Sequence, residues 1–149
     1  MRGKSLLLLT TVFLGMTIGT AYGHVTVQPK QSAAGAVEKY TMRVPTEKFV
    51  PTVRVEVKFP PTLEVTSFES KPGWKIEEKK GASGKLIGVT LTGSIPTGES
   101  ASFDFSARNP KEEGKLYWKV IQIYQDGSKS EWTGAEGSRT PAPGVEVKR

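Results

Sequence analysis

The sequence predicts an all-β fold, an immunoglobulin-like β-sandwich of about eight or nine short strands. Two observations predict it, and a third says what must hold it together. After residue 24 the apolar side chains recur at period two, and no stretch carries a sustained helical stripe. Turn sequences built on Gly and Pro separate the apolar runs at intervals of about 8–12 residues. The chain has no cysteine, so packing alone must hold it together.

Residues 1–23 read as a secretory signal peptide. Arg2 and Lys4 form a short positive region, and residues 6–18 are almost wholly apolar. That run has the length of a signal core and falls short of the ~20 residues that span a bilayer. Ala21 and Gly23 suit cleavage before His24, and Gly19 and Ala21 suit cleavage before Tyr22. The composition leaves both cuts open. The first leaves 126 of the 149 residues, enough for one domain with one core.

Residues 24–140 are expected to form that domain. Val25 to Val27 open it. Tyr40, Met42 and Val44 mark one alternating strand, and Val53, Val55, Val57 and Phe59 mark the next. Shorter runs cover residues 63–68, 74–78 and 86–91. Ala101, Phe103, Phe105 and Ala107 give another full alternation. Leu116, Trp118 and Val120 continue into Ile121, Ile123 and Tyr124, which predicts a long strand with a phase slip or bulge. Asp126-Gly127 is a hairpin turn signal leading into residues 129–132. Residues 141–149, rich in Pro, Gly and charge, are expected to be a flexible tail.

Charge and motifs exclude several functions. Removing the two basic residues of the signal takes the net charge from +6 to +4, spread along the chain. No basic cluster interleaved with aromatics appears, which argues against nucleic acid. GxGxxG, P-loop, GxSxG and HExxH patterns are absent. His24 is the single histidine, so a Ser-His-Asp or Cys-His apparatus would need its base at a weakly braced terminus. The reading is therefore of a protein that is not an enzyme. With no thiolate available, zinc-finger and blue-copper sites are excluded too.

His24 gains different chemistry if the signal is cut before it. A free α-amine then lies beside the imidazole, and both nitrogens can close a chelate ring on one metal ion. Nitrogen and oxygen donors in a tetragonal set suit Cu(II); Cu(I) prefers sulfur, which here is limited to Met42, expected in the core. Taken alone, a single histidine is more often structural or merely exposed than a ligand. Cleavage before Tyr22 would part the amine from the imidazole.

Five motifs, in order, carry a family resemblance: His24-Val25-Thr26-Val27-x-Pro29, Arg43-Val44-Pro45-Thr46-Glu47, Lys71-Pro72-Gly73-Trp74, Tyr124-x-Asp126-Gly127-Ser128 and Glu131-Trp132-x-Gly134. Together they resemble the YcnI-like family of exported copper-binding domains over nearly the whole mature chain. The resemblance implies an immunoglobulin-like sandwich with a Cu(II) site on the N-terminal histidine. It implies His24 as the source of the amine and imidazole nitrogens, Glu47 as the carboxylate ligand, and Trp132 as the aromatic beside the metal. Glu38, Glu56 and Glu131 are the fallback carboxylates. Trp118 is expected in the core and Trp74 at a sheet end. The implied role is extracytoplasmic copper trafficking or buffering, with the copper ion and other exported or membrane copper-handling proteins as partners. Many members carry a membrane-anchoring helix near the C-terminus; no second apolar run of membrane length follows the signal here.

Two other classes compete. A terminal histidine also occurs in copper monooxygenases that attack polysaccharides, but those need a second histidine. A metal-free secreted β-sandwich acting as a binding or adhesion module is the alternative if the chain begins elsewhere than at His24.

Overall fold

A computed structural model of the chain describes residues 23–149. The signal expected over residues 1–23 lies outside the described residues except for Gly23. Twelve strands are found among the described residues: β1 (Thr26–Gln28), β2 (Gln31–Ala33), β3 (Val37–Pro45), β4 (Thr52–Lys58), β5 (Glu64–Phe68), β6 (Lys75–Lys80), β7 (Leu86–Ile95), β8 (Ser100–Arg108), β9 (Gly114–Tyr117), β10 (Lys119–Tyr124), β11 (Lys129–Trp132) and β12 (Gly144–Lys148). They form a four-stranded sheet ordered β1-β3-β8-β5, a five-stranded sheet ordered β11-β10-β4-β7-β6, and a three-stranded sheet ordered β2-β12-β9.

Side-chain alternation explains the layering. On β3, Tyr40, Met42 and Val44 are fully buried, and on β8 so are Phe103, Phe105 and Ala107. These two strands pair antiparallel over nine residues, from Val37 opposite Arg108 to Pro45 opposite Ser100. From the five-stranded sheet, Val55, Val57, Val89, Leu91 and Val120 turn into the same apolar cluster. Each such side chain contributes about 1.5–3 kcal/mol on burial, which a cysteine-free domain must rely on. Trp118 lies at the centre, with its ring centroid 5.7 Å from that of Tyr40 and 6.0 Å from that of Phe105. Trp74 meets Phe103 edge-on at 4.9 Å, at the flank of the core.

The twelve strands exceed the eight or nine expected: β2 (Gln31–Ala33) had no counterpart among the expected runs, and two corrections supply the rest of the excess. Residues 141–149 are not a loose tail. β12 runs parallel to β2 and antiparallel to β9, with Val145 and Val147 buried. Two valines in a Pro- and Gly-rich stretch were enough, because the alternation Val145-x-Val147 meets a waiting apolar face. The second correction concerns the long strand over residues 116–124. It is two strands, broken at Trp118, where the chain passes from the three-stranded to the five-stranded sheet; the Trp118 amide donates to the Pro143 carbonyl at 3.0 Å.

Nor does the phase slip there as expected. Leu116, Trp118, Val120, Gln122 and Tyr124 are all buried, so the inward face continues unbroken and takes in a glutamine. The irregularity instead lies between Ile123 and Tyr124, where the register against β4 shifts.

Candidate functional site

Two edge strands bring the site together. β1 is the edge of the four-stranded sheet and β11 the edge of the five-stranded sheet. β1 pairs with β3 so that Thr26 faces Arg43 and Val27 faces Met42. Continued two residues toward the N-terminus, that register sets His24 level with Pro45. The β1–β3 ladder begins at Thr26 opposite Arg43, so the backbone of His24 lies outside strand pairing. Val25 is buried and anchors the segment, while His24 is exposed.

Trp132 ends β11, opposite Val120 in the hairpin that Asp126-Gly127 turns. Its indole is 7 % exposed. The His24 and Trp132 ring centroids lie 5.7 Å apart with the planes tilted by 59°, so the indole walls one side of the imidazole.

Glu47 follows β3 in the loop to β4 and is exposed. What fixes it is Thr46, which is 1 % exposed and held on every side. The Thr46 amide donates to the Glu99 carbonyl at 2.9 Å, and its carbonyl accepts from the Gly98 amide at 2.9 Å. The Thr46 hydroxyl reaches the Ile95 carbonyl at 3.1 Å and the Thr52 hydroxyl at 2.7 Å. From that anchor the Glu47 carboxylate folds back over Gly23. A methyl group on Gly23 would overlap the carboxylate, and Gly23 has a φ of +116°, so only glycine fits there.

The carboxylate thus stands against Gly23, the residue that precedes His24. Breaking the peptide bond between the two would expose an amine beside an imidazole, a carboxylate and an indole. Among the described residues, no group of three or more His, Cys, Asp or Glu side chains is placed to hold a metal.

Charges around the rim are ordered by the hairpin. Lys48 places its Nζ 4.4 Å from the centroid of the Tyr124 ring and donates to Ser128 Oγ at 3.3 Å. Burial pushes the Tyr124 phenol above its ordinary value; the Ser130 hydroxyl opposes this and the Glu47 charge adds to it. Asp126 is held below the usual carboxylate range by hydrogen bonds from the Ser128 hydroxyl and amide, with Lys48 contributing.

The fallback carboxylates are engaged elsewhere. Glu38 accepts from Ser32 Oγ at 2.8 Å, Glu56 pairs with Arg54 at 3.1 Å, and Glu131 faces Lys129 at 3.7 Å. Met42 is fully buried on β3. One residue escaped the sequence reading: Gln122, fully buried, accepts from Trp132 Nε1 at 3.0 Å. Its signal was the unbroken alternation from Leu116 to Tyr124, which sets residue 122 inward whatever its polarity.

Comparison with known proteins shows the family and the fold. The family profile described as "Domain of unknown function (DUF1775)" matches residues 24–147, starting at His24. The copper-binding protein CutI of Bacillus subtilis (strain 168) is 43 % identical over 124 residues, covering 81 % of this chain and 60 % of that protein. The chain thus spans about three fifths of this curated relative. An uncharacterised Nocardia farcinica protein with an immunoglobulin-like fold superposes with a TM-score of 0.73 at 27 % identity, covering 85 % of this chain and 99 % of that one. A cohesin module from Clostridium perfringens superposes at 0.58 with 12 % identity over 85 % of this chain and 95 % of its own, a likeness of fold alone. With the immunoglobulin-like sandwich in place and the profile spanning all but the first and last residues of the folded region, the chain belongs to the DUF1775 family, the YcnI-like group that its sequence motifs resemble.

Proposed function

We propose that the chain is an exported, non-catalytic Cu(II)-binding protein of extracytoplasmic copper trafficking or buffering, and that cleavage before His24 completes its site. His24 would supply the α-amine and the imidazole, Glu47 the carboxylate oxygen, and Trp132 an apolar wall. The wall keeps water and reductants from one face of the ion. The observation that carries this reading is the position of the Glu47 carboxylate, folded against Gly23, while the Trp132 ring centroid stands 5.7 Å from that of the His24 imidazole. The copper-binding relative, 43 % identical, supports the choice of metal.

A copper monooxygenase would need a second histidine, and the sequence has one. Binding without turnover fits the donor set better. No helix among the described residues is long and apolar enough to cross a membrane.

Intact mass of the secreted protein tests the first step. A mass that begins at His24 supports the reading, and one that begins at Tyr22 removes the chelate. Cu(II) titration of the chain beginning at His24, against the same chain with that amine acetylated, tests the second. The acetylated form should lose tight binding; equal binding by both overturns the proposal.

A further inference from the structure

We propose that Gln122 is the positioning residue of the copper site, fixing the Trp132 wall and the Glu47-bearing segment relative to each other from inside the core. This rests on the copper reading above and extends it to a residue that touches no proposed ligand.

The hydrogen bonds run in one direction and leave no donor unused. Trp132 Nε1 can only donate, and it donates to Gln122 Oε1 at 3.0 Å. That orients the amide: Gln122 Nε2 must face the other way, toward acceptors. It donates to the Pro45 carbonyl at 2.8 Å and to Thr52 Oγ1 at 2.7 Å. The Thr46 hydroxyl gives its hydrogen to the Ile95 carbonyl at 3.1 Å. Thr52 therefore spends its own hydrogen on Thr46 Oγ1, at 2.7 Å. Gln122, Thr46 and Thr52 are each at most 1 % exposed, so water cannot substitute for a lost partner.

The chain of bonds starts on the residue that walls His24 and ends on the two residues that precede Glu47. Pro45 and Trp132 belong to different sheets. The inward face of β10 is otherwise apolar until Tyr124, and an aliphatic residue at 122 would fill the core without linking those sheets. A glutamine there sets the spacing between the wall and the carboxylate. Residues around a metal site that orient its ligands typically change affinity by about 10–100-fold when lost.

The test uses the chain beginning at His24, loaded with Cu(II), and reads affinity together with the electron paramagnetic resonance spectrum. Gln122→Met keeps the volume and removes every bond. It is expected to bind Cu(II) at least about tenfold more weakly, with altered copper hyperfine splitting. In a Trp132→Phe background its loss should be smaller than in the wild type, because one end of the link is already gone. If Gln122→Met does not fold, Thr52→Val replaces it: it breaks the relay to Thr46 while keeping the Trp132–Gln122 bond, and should alter the same spectrum. An unchanged spectrum and affinity in the folded variant overturn the positioning role, as do losses that simply multiply in the double variant. If acetylating the wild-type amine leaves its copper binding unchanged, the terminal-histidine reading fails first and takes the positioning role with it.

Discussion

At the scale of single residues, the site depends on how an exposed histidine is flanked. His24 touches bulk water, and its chemistry is set by Trp132 on one side and by whatever bond precedes it in the chain. Both nitrogens of an amine–imidazole pincer must shed protons before they bind a metal. Protons therefore compete with the metal for both sites, and Cu(II) affinity should fall steeply as the pH is lowered from neutral. A flat profile in an isothermal titration series would point to a carboxylate-only site.

Glu47→Gln keeps the shape and removes the charge. Because Glu47 is exposed, stability should change by less than about 0.5 kcal/mol, while Cu(II) affinity drops roughly tenfold or more. Trp132→Phe should behave differently. It strips the partner from the buried Gln122 Oε1, which costs about 1–3 kcal/mol, measurable as a lower urea midpoint in the metal-free protein.

At the scale of elements, the fold was legible where apolar alternation ran along a strand that stays in one sheet. β3, β4 and β8 are where the Tyr40–Val44, Val53–Phe59 and Ala101–Ala107 patterns put them. The Asp126-Gly127 hairpin was legible too, since Gly127 adopts a φ of +84°. β12 was not, because its two valines stand among Pro, Gly and charge, and composition outvoted a short alternation. Its apolar contact explains the outcome: Val147→Ala should lose about 1–2 kcal/mol, since two buried methyl groups are worth that much. A negligible change in unfolding midpoint would restore the loose-tail reading.

Gln122 was illegible for a related reason. A polar residue at an inward position mimics a change of phase, and Ile121 and Ile123 offered a tempting alternative face. Only the partners, Trp132 from β11 and Pro45 from β3, show why a glutamine belongs there. His24, Glu47 and Trp132 were singled out through motifs, and the structure brings Trp132 beside His24 and Glu47 beside Gly23. Their spacing was not legible, because it depends on two sheets meeting at their edges.

At the scale of the whole molecule, the proposed copper site lies where an edge strand of each large sheet meets the other in a cysteine-free domain. Ligand binding to the native state alone stabilises it; Cu(II) at about a thousandfold excess over Kd contributes roughly 4 kcal/mol. For a domain of this size that raises Tm by on the order of 10 °C. The shift should appear in the chain that begins at His24 and shrink in Glu47→Gln.

The central claim is that the His24 amine becomes a ligand. It is tested most directly by the Cu(II) affinity of the chain beginning at His24, measured side by side with its amine-acetylated form. The account predicts that acetylation abolishes tight binding while the fold, followed by circular dichroism, is unchanged. Equal affinity in the two forms would contradict it.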